Sequence, residues 1–372
     1  MNKLIFANLL RRPLRSIISV FAVAIEVVMI LSIVAVFMGM LHSQNQRTNG
    51  IGADIMMLPS NASLFNATNG AAMPVNDAIV LRRLPHVAVV APVNQKLATN
   101  HNIEVIYGID YDTFNALKPF VFLSGGKFQG PNDAIVDNVF AGGRNPATGR
   151  PWAVGDTVQI LDQPFRISGI VEEGKGGRKL IPIDTMGALV GAEGKASIFY
   201  IKCDNPANDD LVMEEIHSTR GFGNNTLTTV DSWLRQMTPD KLPGFNLALS
   251  VVTGIAVIIG FLVILQSMYT AVLERTREIG ILKSMGASKP AIVSLVLRET
   301  GLLAAVGVIV GIAGTFGVQA LLAAKFPTFA FEITGVWIGY GALIAFSGSI
   351  LGALYPAWMA ARKDPIDALA YE

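Results

Sequence analysis

Four stretches almost free of charge constrain what this chain can fold into. Residues 16–46 hold one acid, Glu26, and no lysine or arginine; residues 245–273, 300–324 and 333–361 hold no Asp, Glu, Lys or Arg at all. About 20 apolar residues suffice to carry a helix across a hydrocarbon core of about 30 Å. The pattern therefore predicts four transmembrane helices, at 16–41, 245–273, 289–324 and 333–361. Only 15% of the residues are charged, against about 25% in a soluble domain, and the mean hydropathy is +0.47. A cleaved signal peptide is the alternative for the first stretch, because Arg11, Arg12 and Arg15 precede it. Its apolar run exceeds the roughly 7–15 residues of such a segment, and residues 37–42 offer no small-x-small site. An uncleaved anchor is expected.

Lysine and arginine near helix ends set orientation. They cluster in the N-terminal segment 1–15 (Lys3, Arg11, Arg12, Arg15) and in the loop 274–288 with its flank (Arg275, Arg277, Lys283, Lys289, Arg298). The tail 362–372 carries Arg362 and Lys363, whereas the short connection 325–332 carries only Lys325. Both termini and the loop 274–288 are therefore expected on the cytoplasmic side of an inner (plasma) membrane, with residues 42–244 outside.

Residues 42–244 hold 20 of the 28 acids and 17 of the 29 bases, the composition of a water-exposed domain. Apolar β-rich runs at 87–92, 103–108, 157–160, 165–171 and 197–202 predict strands, with a hairpin turn at Asp162-Gln-Pro164. Residues 76–84, 206–218 and 231–237 read as helices. The fold class is α+β: four transmembrane helices with a large α+β domain between the first and second.

That domain shows no catalytic constellation. Its four histidines (His42, His86, His101, His217) lack metal-ligand spacing, no G-x-S-x-G elbow occurs, and the single Cys203 excludes an intramolecular disulfide or a cysteine-based zinc cluster. Cys203 reads as a core or strand-end residue. Gly174-Lys-Gly-Gly-Arg-Lys179 lacks the G-x-x-x-x-G-K-[ST] spacing of a phosphate loop, as does Gly194-Lys195, and both read as exposed glycine-rich turns. No catalytic residue, metal site or cofactor is expected in the chain. The net charge of +1 argues against a nucleic-acid partner. Asn61-Ala-Ser63 and Asn66-Ala-Thr68 match a glycosylation pattern without further support.

The loop between the second and third spans carries the sharpest pattern. Ile279, Leu282 and Met285 recur as a narrow apolar stripe on a short helix. Glu274 and Glu278 precede Lys283 and Lys289, matching the helix dipole. Gly286 is placed to end the helix and Ser288 to start the next, with Pro290 in its first turn. Such a helix either rests at a lipid surface or docks on a soluble partner.

The stretch Glu274-Arg-Thr-Arg-Glu-Ile-Gly-Ile-Leu-Lys-Ser-Met-Gly-Ala287 resembles the E-R-x-x-E-I-G-x-L-[KR]-A-[LM]-G-A signature of ABC transporter permeases of the FtsX-like, MacB and LolC/LolE superfamily, with Ser284 where alanine is usual. Asn8-Leu-Leu-Arg-Arg-Pro-Leu-Arg-Ser16, Gly52-Ala-Asp54, Gly108-Ile-Asp110 and the run from Tyr355-Pro-Ala to Ala368-Leu369 resemble further landmarks in the family's order. The resemblance implies that Glu274, Arg277, Glu278, Ile279, Gly280, Ile281, Leu282, Lys283, Met285, Gly286 and Ala287 form a coupling helix docking on a separate nucleotide-binding ATPase subunit, which binds the ATP and Mg. It implies mechanotransmission by two permease copies, a homodimer or heterodimer, with two ATPases. A periplasmic adaptor, a carrier or a hydrolase joins the possible partners. The implied activity is export or extraction of a hydrophobic or amphiphilic substrate: a lipoprotein, lipid, peptide, antibiotic or haem. The alternative within the family is a signal transducer activating a cell-wall hydrolase. A membrane-anchored enzyme is disfavoured by the missing catalytic groups. The second span, at 29 residues, would reach about 43 Å as helix, and Pro243-Gly244 reads as a hinge at its outer end.

Inside the membrane, Glu26 is a functional-site candidate by position. It is expected either to contact substrate or pass a proton, or to be a structural acid paired with Gln266; Met29, one turn on, shares its face. Gly307-Val-Ile-Val-Gly311, Gly335-Val-Trp-Ile-Gly339 and Gly348-Ser-Ile-Leu-Gly352 are small-xxx-small patterns that permit close helix packing.

Overall fold

The computed structural model describes residues 13–60, 73–98, 104–236, 238, 241, 244–326 and 328–363. The residues up to Arg12, Asn61, Asn66, His101, Met237, Pro243 and the tail from Asp364 lie outside this set, so the readings placed on them stay as stated. The chain divides into two compact units, Met1–Met40 with Pro243–Lys325 and Ala330–Glu372, and Leu41–Leu242 with Phe326–Phe329.

The first unit is built on four helices long and apolar enough to cross a membrane: Pro13–Asn49, Phe245–Glu274, Lys289–Lys325 and Gly335–Arg362. The first is longer than the expected 16–41 span. Its polar end stays helical because side chains one turn apart bond to each other: His42 with Gln46 at 2.8 Å, and Arg47 with Gln44 at 3.2 Å. Glycine sets how closely the helices meet. A Cβ on Gly307 would lie 2.7 Å from Cβ of Val23, and one on Gly311 equally close to Cβ of Val27. The third helix thus receives two side chains of the first, spaced one turn apart. A Cβ on Gly352 of the fourth helix would lie 2.7 Å from the carbonyl oxygen of Phe261 on the second, and Gly348 stands beside Glu26. Among the described residues nothing lies within 4 Å of a Cβ placed on Gly335 or Gly339, so that pair makes no packing seam with them. Val23, Val27, Leu31, Ile264, Met268 and Leu303 form the buried centre.

The second unit is an α+β domain around one mixed sheet. Its strands are β1 (Ile55–Leu58), β2 (Met73–Pro74), β3 (Val87–Ala98), β4 (Glu104–Ile109), β5 (Phe122–Gly125), β6 (Asp133–Asp137), β7 (Thr157–Ile160), β8 (Gln163–Val171), β9 (Lys179–Pro182), β10 (Lys195–Ala196), β11 (Ile198–Cys203) and β12 (Thr226–Thr229). The main sheet runs β12-β1-β11-β3-β4-β9-β6-β8-β5, with β7 paired to β8 and a separate β10-β2 ladder. The β4/β9 and β6/β8 pairs are parallel and the others antiparallel. Both faces are covered. On β11, Ile198 and Tyr200 join one core with Phe114, Phe120 and Trp233, while Phe199, Ile201 and Cys203 join another with Leu81 and Ile216. Strict alternation of apolar and polar residues is therefore absent from β1 and β11, because neither face meets water.

Helices fall at Asp77–Leu81, Tyr111–Leu117, Asn138–Ala141, Ile183–Val190, Asp209–Ser218 and Val230–Gln236. The β7/β8 turn differs from the expectation. Ile160 pairs with Gln163, so the turn is Leu161-Asp162, both at positive φ (50° and 62°), and Pro164 lies within β8 opposite Gln159. Positive φ at both central residues is the two-residue hairpin geometry whose twist suits the flanking strands.

Two landmarks acquire physical roles. The Asp54 carboxylate accepts the Cys203 N–H at 2.8 Å, at the register shift between Lys202 and Cys203. Asp110 caps the helix Tyr111–Leu117, accepting the Thr113 N–H at 3.2 Å.

Candidate functional site

The loop between the second and third long helices folds as a short helix, Thr276–Ser284. Its end is a Schellman motif: Ala287 N–H reaches the Leu282 carbonyl and Gly286 N–H the Lys283 carbonyl, each at 3.0 Å, with Gly286 at φ 94°. Leu282 and Ala287 pack together against Ile279, Ile292, Val296 and Ala357. Ser288 follows, and its carbonyl accepts from Ala291 and Ile292 at the start of the third helix.

Two polar ties hold this helix in place. At its start, Arg275 Nη1 donates to both carboxylate oxygens of Glu299 on the third helix, at 2.9 and 3.2 Å, with both side chains largely buried. At its other end, Lys283 Nζ donates to the carbonyls of Ala361 (3.1 Å) and Lys363 where the fourth helix finishes. A cation at a helix C-terminus satisfies orphan carbonyls and opposes the dipole. The short helix is thereby fixed to the third helix at one end and to the fourth at the other.

The residues singled out in sequence divide by face. Ile279 and Gly280 are buried; Leu282, Lys283 and Ala287 are half-buried; Glu274, Arg277, Glu278, Ile281, Met285 and Gly286 are exposed. The stripe Ile279–Leu282–Met285 is corrected in one position. Each three-residue step falls about 60° short of a full turn, so six residues carry Met285 off the packed face. Met285 is 72% exposed and Ile281 43%. One turn apart, they form an apolar outward pair flanked by Arg277 and Glu278. Sequence reasoning missed Glu299 and its pairing with Arg275, which stands 24 residues earlier in the chain.

Glu26 is buried, 3% exposed, and packs against Gly260 of the second helix and near Gly348 of the fourth. Its carboxylate oxygens have no hydrogen-bond partner among the described residues. The pairing with Gln266 does not form. Gln266 lies six residues beyond Gly260, roughly 240° around the helix, and lines an exposed groove with Leu14, Ile18 and Leu262. Met29 is half-buried.

The glycine-rich run 174–179 is not the exposed turn expected. Lys175, Gly176, Gly177 and Lys179 are buried. Lys175 Nζ donates to the Lys118 carbonyl and Lys202 Nζ to the Leu117 carbonyl, both at 2.6 Å, so two lysines cap the end of Tyr111–Leu117. Lys179 pairs with Glu104 at 2.6 Å. Burial, followed by the charges of Lys118 and Lys202, pushes the Lys175 ammonium down to about 8. The run also grips the end of the first long helix. Gly176 N–H donates to the Arg47 carbonyl at 3.1 Å, and a Cβ on Gly50 would overlap the carbonyl of Gly174. Gly194-Lys195, by contrast, is an exposed turn into β10, with Gly194 at φ 66°.

Cys203 is buried, and burial first, then Asp54, Asp209 and Asp204, pushes its thiol up to about 11. Among the described residues no group of three or more His, Cys, Asp or Glu side chains is arranged to hold a metal ion.

Comparison with known proteins gives two family matches: the MacB-like periplasmic core domain over residues 16–219, and the FtsX-like permease C-terminal over residues 250–365. The chain is similar to the uncharacterized ABC transporter permease YknZ of Bacillus subtilis (strain 168), 26% identical over all of this chain and 98% of that one. It is also similar to the macrolide export ATP-binding/permease protein MacB of Nitrobacter winogradskyi, 25% identical over 98% of this chain and 59% of that one. Among solved structures, the periplasmic region of MacB from Actinobacillus actinomycetemcomitans aligns at a TM-score of 0.39 and 15% identity, over 51% of this chain and 94% of that one.

Proposed function

Because this chain belongs to the MacB/FtsX-type permeases of ABC transporters, we propose that it is the membrane subunit on which a separate nucleotide-binding ATPase acts. In this reading both termini and the helix Thr276–Ser284 face the cytoplasm and residues 42–244 face outward. The ATPase supplies the ATP and Mg chemistry; this chain supplies the docking surface and the moving parts. A second permease copy completes the unit. Its substrate class is hydrophobic or amphiphilic, and export is the direction favoured by the names of relatives such as MacB.

One observation carries the reading: the short helix is tied at both ends to long helices yet presents Ile281 and Met285 outward. A surface built only to pack would bury these side chains. A surface that transmits force needs an exposed grip and rigid attachments behind it. Arg275–Glu299 and Lys283 supply the attachments, so a push on the Ile281/Met285 face is delivered to the third and fourth helices together.

The test is co-purification of the full chain with a nucleotide-binding ATPase subunit from the same organism. Ile281→Asp and Met285→Asp should each release the ATPase, or abolish its stimulation, while the permease melts normally. Full ATPase binding and stimulation in the double variant would sink the proposal. With the complex in hand, uptake of amphiphilic substrates by inverted vesicles separates an exporter from an activator of an outside hydrolase.

A further inference from the structure

We propose that a groove between the third and fourth long helices binds one anionic phospholipid. The groove, of ≈ 790 Å³, lies at the end of the unit where the third helix begins and the fourth finishes. It is unrelated to the Ile281/Met285 face. The proposal rests on the reading that these helices cross the bilayer.

Its two ends differ in chemistry. Lys289 and Arg362 stand at the terminal end, and Arg298 lies nine residues further along the third helix, about 13 Å, where its long side chain can reach back towards the interface; all three are exposed, with the Arg362 guanidinium 4.0 Å above the Trp358 ring. Past Arg298, towards the centre of the helices, the lining becomes Gly301, Phe346 and Ile350. Gly301 forms the floor: a Cβ there would come to 3.7 Å from the Phe346 ring and 3.8 Å from the Ile350 side chain. From Trp358 back to Phe346 is twelve residues, about 18 Å of helix. The groove thus runs from interfacial depth into the apolar slab.

Charge selects the occupant. Among the described residues no carboxylate lines the groove, and the acid adjoining Arg298 in sequence, Glu299, pairs with Arg275. None of the three cations forms an ion pair with a described residue. Three cations beside an interfacial tryptophan suit a phosphate headgroup, and basic pockets between membrane helices hold such headgroups. The apolar remainder suits an acyl chain. A second copy packed here about a two-fold axis would bring the same three cations into one contact, which disfavours it as the occupant.

The experiment uses the full chain in detergent with equimolar phosphatidylglycerol and phosphatidylcholine, read by native mass spectrometry. Phosphatidylglycerol should be retained preferentially, and Arg298→Gln and Arg362→Gln should each lower that preference about fivefold. Location is read separately in a Trp337→Phe background, which removes the other tryptophan of the fourth helix, in vesicles containing brominated phosphatidylglycerol: the quenched component of the tryptophan emission should vanish on adding Trp358→Phe. Equal retention of the two lipids, a preference surviving both arginine substitutions, or an unquenched Trp358 component (as when a second copy covers it) would each overturn the proposal. Because no groove residue lies on the Ile281/Met285 face, ATPase stimulation reports independently on the permease reading.

Discussion

Arg275 Nη1 reaches both carboxylate oxygens of Glu299 across the junction between the short helix Thr276–Ser284 and the third long helix. The pair is largely buried, so removing one member leaves an uncompensated charge. Arg275→Met or Glu299→Met alone should cost about 3–5 kcal/mol, whereas the double substitution should recover most of the loss. Thermal unfolding of the detergent-solubilised chain measures this. The double variant should still stimulate its ATPase weakly, because the rigid tie is gone although the fold is intact.

The two faces of the short helix Thr276–Ser284 should separate by assay. Leu282 packs under the helix with Ala287, so Leu282→Asp should lower the melting temperature of the permease itself. Ile281→Asp should leave it unchanged and affect only partner binding. Gly286→Ala, forced to keep φ near 94°, should cost about 1 kcal/mol and shift both readouts slightly.

Where the glycine-rich run meets the first helix there is no room for a side chain. Gly50→Ala collides with the Gly174 carbonyl, and Gly176→Ala with the Tyr107 ring as well as being strained at φ 76°. Each should destabilise the α+β domain by about 1–3 kcal/mol, seen as a lower urea midpoint. Gly149→Ala, also at positive φ but with nothing within 4 Å, is the control that isolates strain from collision.

Lys175 gives a pH signature. The folded chain releases its proton near 8, while the unfolded chain keeps it until the ordinary lysine range near 10.4. Between these values the unfolded state binds more protons, so this residue's contribution makes stability rise with pH, by at most about 1.4 kcal/mol per pH unit. Lys175→Met should flatten that rise between pH 8 and 10. Cys203, whose raised thiol acts in the opposite sense above pH 9, is common to both chains and cancels in the difference.

Glu26 should tolerate loss of its carboxyl group. With no hydrogen-bond partner for its oxygens among the described residues, Glu26→Leu should raise thermal stability by about 1–3 kcal/mol, the cost of an unsatisfied buried polar group. A drop in stability or in transport would show that the assembled transporter supplies a partner for it.

The four spans were legible because a charge-free run long enough to cross a bilayer has few alternative uses. The hairpin of β7 and β8 was legible for its alternation, though its turn slipped by a residue because Pro164 looked like a corner and is instead strand. β1, β6 and β9 were hidden: they are buried on both faces, so period-two patterning disappears. The short helix Thr276–Ser284 was found by spacing, but its outward face was not, since a stripe counted in threes drifts around the helix. Arg275–Glu299 was hidden for another reason, since its members lie 24 residues apart and only the packing of two helices brings them together.

The burial of Cys203 carries a practical consequence. The chain's sole thiol is the last residue of β11, buried in the core and pushed up to about 11, so the sequence offers a quiet background for chemical labelling. A single cysteine introduced at Met285, at Arg298 or on the sheet would report alone, and pairs of spin labels or fluorophores would measure distances through an ATPase cycle without first engineering the protein.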